Sequence, residues 1–191
     1  KKISVLNPLL VSIIFVIAVI KIFHIDYETY NSGAKYISYL LTPATVCLAI
    51  PLYRQISVLK EHAKEVFIGI LAGVLASMGS ILLMSYLFGL THEQYVTLLP
   101  KSITTAIGMG VSEELGGIQT ITVAVIIITG VLGNIIAEAV LKIFRIKEPV
   151  AKGLAIGTAS HAIGTTKALE IGEIEGAMSS LSVAVAGLMT V

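Results

Sequence analysis

Apolar residues in this chain come in long runs rather than in amphipathic stripes. Residues 8–23, 66–90 and 118–144 are read as helices that cross a bilayer, a task that takes roughly 20 apolar residues, and a fourth run begins near Met178. Between them lie "YLLTPATVCLAIPLY" and "TLLPKSITTAIGMGV", apolar but short, with Pro43 and Pro100 near their starts and Pro51 near the end of the first. Proline removes a backbone donor and disfavours helix in the residue before it, so both segments are expected to be interrupted. Interrupted backbone survives at membrane depth only where protein or a water-filled cavity satisfies it.

A shift of 57 residues places Leu41, Pro43, Ala49, Ile50, Val66, Ile70, Gly73, Val74 and Leu75 on Leu98, Pro100, Ala106, Ile107, Val123, Ile127, Gly130, Val131 and Leu132. Each half pairs a proline-broken segment with a following helix, the form that transporter repeats take. Arg54, Lys60 and Lys64 follow the first broken segment, while Glu113 and Glu114 follow the second. Lys142, Arg145, Lys147 and Lys152 close the second helix. The positive-inside rule puts both basic loops in the cytoplasm, so equivalent loops lie on opposite sides and the repeat is inverted. Residues 98–111 must then enter and leave on the outer face, and residues 40–53 on the inner one. The side of the loop at residues 24–35 is left open by its few, mixed charges.

Composition agrees with a membrane class. The 191 residues are 55% hydrophobic and 13% charged, with mean hydropathy +0.92, well short of the roughly one-quarter charged residues of soluble domains. A net charge of +1 without a basic, aromatic-rich run gives no reason to expect a nucleic-acid partner. Cys47 alone excludes an internal disulfide. No nucleophile triad, phosphate loop or metal-ligand spacing is present, so no enzyme, metal or cofactor is expected. His24, His62 and His92 read as isolated loop residues. The expected fold is an all-α integral membrane protein, a multi-pass helical bundle with an inverted repeat and proline- or glycine-broken re-entrant half-helices. It is read as one transmembrane domain, 1–191, with repeat units at 36–90 and 93–145. Residues 150–191 form a broken segment and the start of a further span. Val191 falls in mid-run, so the chain is expected to be a fragment of a longer one.

Candidate chemistry lies at the breaks. After Pro100 come Lys101, Ser102, Thr104 and Thr105, where a half-helix N-terminus plus a lysine would suit a carboxylate. The alternative is that Lys101 snorkels to the interface and the hydroxyls bond their own helix. "ASHAIGTTKALE" offers Ser160, His161, Thr165, Thr166 and Lys167, with Gly157 and Gly164 as expected breaks and Gly164 starting a second half-helix. His161 would hold an anion or pass a proton; the alternative is a helix-packing glycine face with a satisfied histidine. Asn134 and Glu138 lie one turn apart, Glu138 being either a proton carrier or a partner of Lys142.

The phrases "PATVCLAIPLYRQ", "LLPKSITTAIGMGVSEELGG", "ITGVLGNIIAE" and "AKGLAIGTASHAIGTTKALEIGEIEGAMSSL" resemble the CidB/LrgB family, nearer its CidB branch, over nearly the whole chain from Asn7. The resemblance implies either a holin-like or antiholin-like protein controlling murein hydrolase activity and cell lysis, or a carrier of small carboxylates such as pyruvate, glycolate and glycerate. It also implies a bacterial cell membrane location and a small membrane partner of the CidA/LrgA type. The expected main function is a monocarboxylate carrier working by alternating access, its anion held near the bilayer midplane between the broken segments at residues 101–105 and 160–167. A homodimer is expected from carriers of this general kind, and lysis control is the alternative.

Overall fold

The computed structural model describes residues 8–40, 43, 46, 47 and 49–191, and every regular element among them is helical. These are α1 (Pro8–Ile22), α2 (Tyr27–Ser38), α3 (Ala49–Arg54), α4 (Ile56–Glu61), α5 (Ala63–Phe88), α6 (His92–Leu98), α7 (Thr105–Glu114), α8 (Gln119–Ile143), α9 (Pro149–Ile171) and α10 (Glu173–Thr190). Contacts divide the chain into two compact units, Lys1–Ile50 and Pro51–Val191. The division falls inside the first expected repeat unit.

In the first unit α1 ends in a Schellman turn. His24 takes φ 50°, and the Ile25 N–H reaches the Ile20 carbonyl at 3.0 Å. Asp26 then caps α2 by accepting from the Glu28 N–H at 3.1 Å. Residues 24–35, expected as a loop, therefore carry most of a helix, because a capping aspartate follows the turn directly.

The first broken segment lies partly outside the described residues. Pro43 is helical, but 41, 42, 44, 45 and 48 are not described, so the break expected at Pro43 falls outside them. Pro51 does not break the chain: it is the third residue of α3, a position where a missing N–H costs little because first-turn donors have no helical acceptor.

The second unit holds two helices long and apolar enough to cross a membrane, α5 with 26 residues and α9's neighbour α8 with 25. They match the expected runs at 66–90 and 118–144 to within three residues at each end. α9 is the hub, packed against α5, α8 and α10. One cluster joins Val66, Ile70 and Val74, a one-turn spacing on α5, to Val150 and Leu154 of α9 and Ala177, Met178 and Ala186 of α10. A second joins Ala137 and Leu141 of α8 to Ile156 and Ala168 of α9.

Small residues set how close these helices come. A Cβ on Gly153 would lie 2.5 Å from the Glu175 carbonyl oxygen, and one on Gly157 would lie 2.5 Å from that of Ser179. Gly157 therefore acts as a contact point inside a continuous helix and not as the expected break. Gly164 is helical too, pressed on Ile156 and Ser160. The interruption of α9 falls three residues earlier, at His161, with φ 43° and ψ −145°. Left-handed φ costs a side chain roughly 1–2 kcal/mol, so glycine would be the local choice. Tertiary contacts override that preference.

The second broken segment is interrupted as expected, but Pro100 does not start a helix. The chain turns through residues 99–104, and α7 begins after Thr104, whose hydroxyl makes no capping bond. Thr97 closes the segment on itself. Its hydroxyl accepts from the Ile118 N–H at 2.8 Å, and its carbonyl lies 2.9 Å from the Thr122 hydroxyl, itself 2.7 Å from the Ser112 hydroxyl. The chain thus leaves at Thr97 and returns at Ile118 to the same point. Thr97, Ser112 and Thr122 are all buried, and such a satisfied polar knot tolerates the loss of no member cheaply.

Candidate functional site

The candidate residues separate into two groups on opposite parts of α9. The first surrounds Lys101. Its Nζ donates to the hydroxyls of Ser102 at 2.9 Å and Ser77 at 3.3 Å, which lie 3.0 Å from each other. Ser77 belongs to α5 and was not singled out by sequence; its only signal was a hydroxyl inside an apolar run, too common a feature to mark a site. Lys101, Ser77 and Ser102 border a cavity of about 720 Å³ that continues along Gly69, Gly73 and the first half of α9, including Thr158. Thr104 and Thr105 sit half-buried at the start of α7 and do not line it.

The second group gathers where α9 breaks against α8. The His161 ring is buried, and its Nε2 lies 2.9 Å from the Ile126 carbonyl oxygen. A carbonyl only accepts, so that nitrogen carries the proton. Gly130 and Gly133 make the approach possible. A Cβ at Gly130 would lie 2.7 Å from the His161 ring, and one at Gly133 would overlap the Ser160 hydroxyl. Asn134 Nδ2 donates to the Ile163 carbonyl at 3.0 Å and to the Thr166 hydroxyl at 2.8 Å, pinning the first turn after the break. The Thr165 hydroxyl bonds the His161 carbonyl at 3.1 Å and the Ser179 hydroxyl at 2.9 Å. The histidine is thus hydrogen-bonded and packed against glycines of α8, while Gly153 and Gly157 of its own helix pack against α10.

Lys167 is engaged with two carboxylates, Glu138 at 2.6 Å and Glu170 at 3.2 Å. Glu138 also reaches Lys142, more loosely, at 3.9 Å. The partner of Glu138 that sequence spacing suggested is thus secondary to one brought in by tertiary contact. Lys101 and Ser102 face α5 and the first half of α9, while His161 and Lys167 face α8. The two glycines equated by the 57-residue shift both touch α9, Gly73 at Thr158, one turn before the break, and Gly130 at His161, the break itself.

A family model described as the LrgB-like family matches residues 1–191. The chain belongs to that family. Proteins named antiholin-like protein LrgB from Bacillus mycoides (strain KBAB4) and Bacillus cereus (strain B4264) are each 40% identical to it over 185 residues, covering 97% of this chain and 80% of theirs. The protein of that name from Bacillus anthracis (strain CDC 684 / NRRL 3495) matches to the same extent. No solved structure matches the chain significantly. The motifs alone placed the chain nearer the CidB branch, whereas these relatives carry the LrgB name. The LrgB family is membrane-associated and is not an enzyme family.

Proposed function

We propose that this protein is an antiholin-like membrane protein that restrains murein hydrolase activity and cell lysis, acting beside a small membrane partner of the LrgA type. The observation that carries this reading is 40% identity over 97% of the chain to proteins bearing that name. A multi-pass arrangement in the bacterial cell membrane accompanies it, supported by α5 and α8, each long and apolar enough to cross. An inverted repeat is supported by Gly73 of α5 and Gly130 of α8, which both pack on α9, and by a segment that leaves and returns at Thr97 and Ile118. Cells lacking the gene are expected to show raised murein hydrolase activity in wall extracts and faster lysis, both reversed by the full-length gene. Unchanged lysis and hydrolase activity would sink the reading.

One observation favours a second reading, transport of a small monocarboxylate by alternating access, with a homodimer as its expected form. A lysine with two hydroxyls borders the cavity along α5 and α9, a donor set suited to a carboxylate. Liposomes holding the purified protein are expected to take up labelled pyruvate or glycolate saturably, and Lys101→Ala to abolish it. Uptake that never saturates, or escape of much larger dyes, rejects a carrier.

A further inference from the structure

Four basic residues between the last turn of α8 and the first turn of α9 gather around a cavity that neither reading above uses. Lys142, Arg145, Lys147 and Lys152 line a space of about 520 Å³ together with Glu138, Glu170, Leu141, Ile146 and Ile171. The acids there are already engaged, since Lys167 holds both Glu138 and Glu170. Lys152 is taken by Glu175 at 3.5 Å. Arg145 and Lys147 form no ion pair among the described residues, so the cavity keeps an uncompensated positive charge.

Backbone geometry adds a second observation. α8 ends in a Schellman turn in which the Ile146 N–H bonds the Leu141 carbonyl at 2.9 Å and Arg145 takes φ 55°. Glycine is the usual occupant of that position because any side chain there is strained. An arginine held there presents its guanidinium at the helix end in spite of that strain.

The level of the cavity indicates its occupant. At 1.5 Å per residue the 25 residues of α8 span about 37 Å, more than the roughly 30 Å hydrocarbon core, so the last turn reaches the headgroup layer. The last turn of α8 leaves Ile143 and Phe144 exposed next to Arg145, as suits a turn at the boundary between acyl chains and headgroups. We infer that this cavity binds the headgroup of an anionic phospholipid, its phosphate held by Arg145 and Lys147. The inference rests on the membrane reading, though not on lysis control or transport.

Purified full-length chain in detergent is expected to bind phosphatidylglycerol, followed by native mass spectrometry and thermal unfolding, and to bind neither phosphatidylcholine nor inorganic phosphate comparably. Arg145→Gln with Lys147→Gln should weaken phosphatidylglycerol binding on the order of tenfold or more, given the ~1 kcal/mol that each basic group near an anionic surface contributes. Should the double variant aggregate, Lys147→Gln alone, which leaves the α8 turn intact, is expected to show a smaller loss. Equal loss in Arg54→Gln with Lys60→Gln would reduce the effect to general charge attraction and overturn the site. Inorganic phosphate binding as well as the lipid would also overturn it. A chain soluble without detergent would overturn the membrane reading itself, whereas a membrane protein with no lipid preference would overturn the site alone.

Discussion

Replacing Gly157 by valine is expected to lower stability by about 2–3 kcal/mol or more, read as a fall in the thermal midpoint in detergent or as loss of folded protein. A single Cβ at this position would lie 2.5 Å from the Ser179 carbonyl oxygen and 2.7 Å from the Ser182 Cβ. The obstructing atoms belong to the backbone and first carbon of α10, so no rotamer change relieves them and the helices must separate. Overpacking a tight interface typically costs about 1–3 kcal/mol, and more where backbone obstructs, and α9 and α10 form the most extensive helix pair of the second unit. Gly79 is the internal control. A Cβ there meets nothing within 4 Å, so Gly79→Ala should be neutral or stabilising by up to about 1 kcal/mol, since alanine favours the helix. Equal behaviour of the two positions would show that α9 and α10 do not pack as described.

His161 gives the second large effect, and its sign separates two roles. Alanine here loses the ring's bond to the Ile126 carbonyl, worth about 1 kcal/mol net, and still has to adopt φ 43°. Glycine loses the same bond but adopts that backbone at little cost. His161→Ala is therefore expected to be the less stable variant by about 1 kcal/mol, in the same detergent unfolding measurement. If alanine proves as stable as glycine, the break is not held at this residue. If glycine retains the fold and also full lysis control, the imidazole serves packing alone.

Much of this protein was legible residue by residue. Long apolar runs set α5 and α8 to within three residues, because in a bilayer every backbone polar group must be paired within its own segment and only a long apolar helix does so. The interruption near Pro100 was legible for the same local reason, as was the family, from motifs spread along the chain. Short polar helices were missed. α2 and α4 carry no long apolar run, and their formation rests on an Asp26 cap and on turns that hydropathy does not register.

Where the chain breaks and which residues meet were decided in three dimensions. Sequence pointed to Gly164 because glycine is the residue that tolerates a break. The structure breaks at His161 because Gly130 and Gly133 of α8 open a recess into which that ring and Ser160 fit. Sequence offered Lys167 as a cation for a substrate anion, whereas the fold brings Glu138 of α8 to 2.6 Å from it. Ser77, which shares the Lys101 cluster, is 24 positions away in sequence. Burial in lipid and proline placement are properties of a segment and can be read along it. The pairing of one helix face with another depends on which glycines face each other, and that is fixed only when α5, α8 and α10 close around α9.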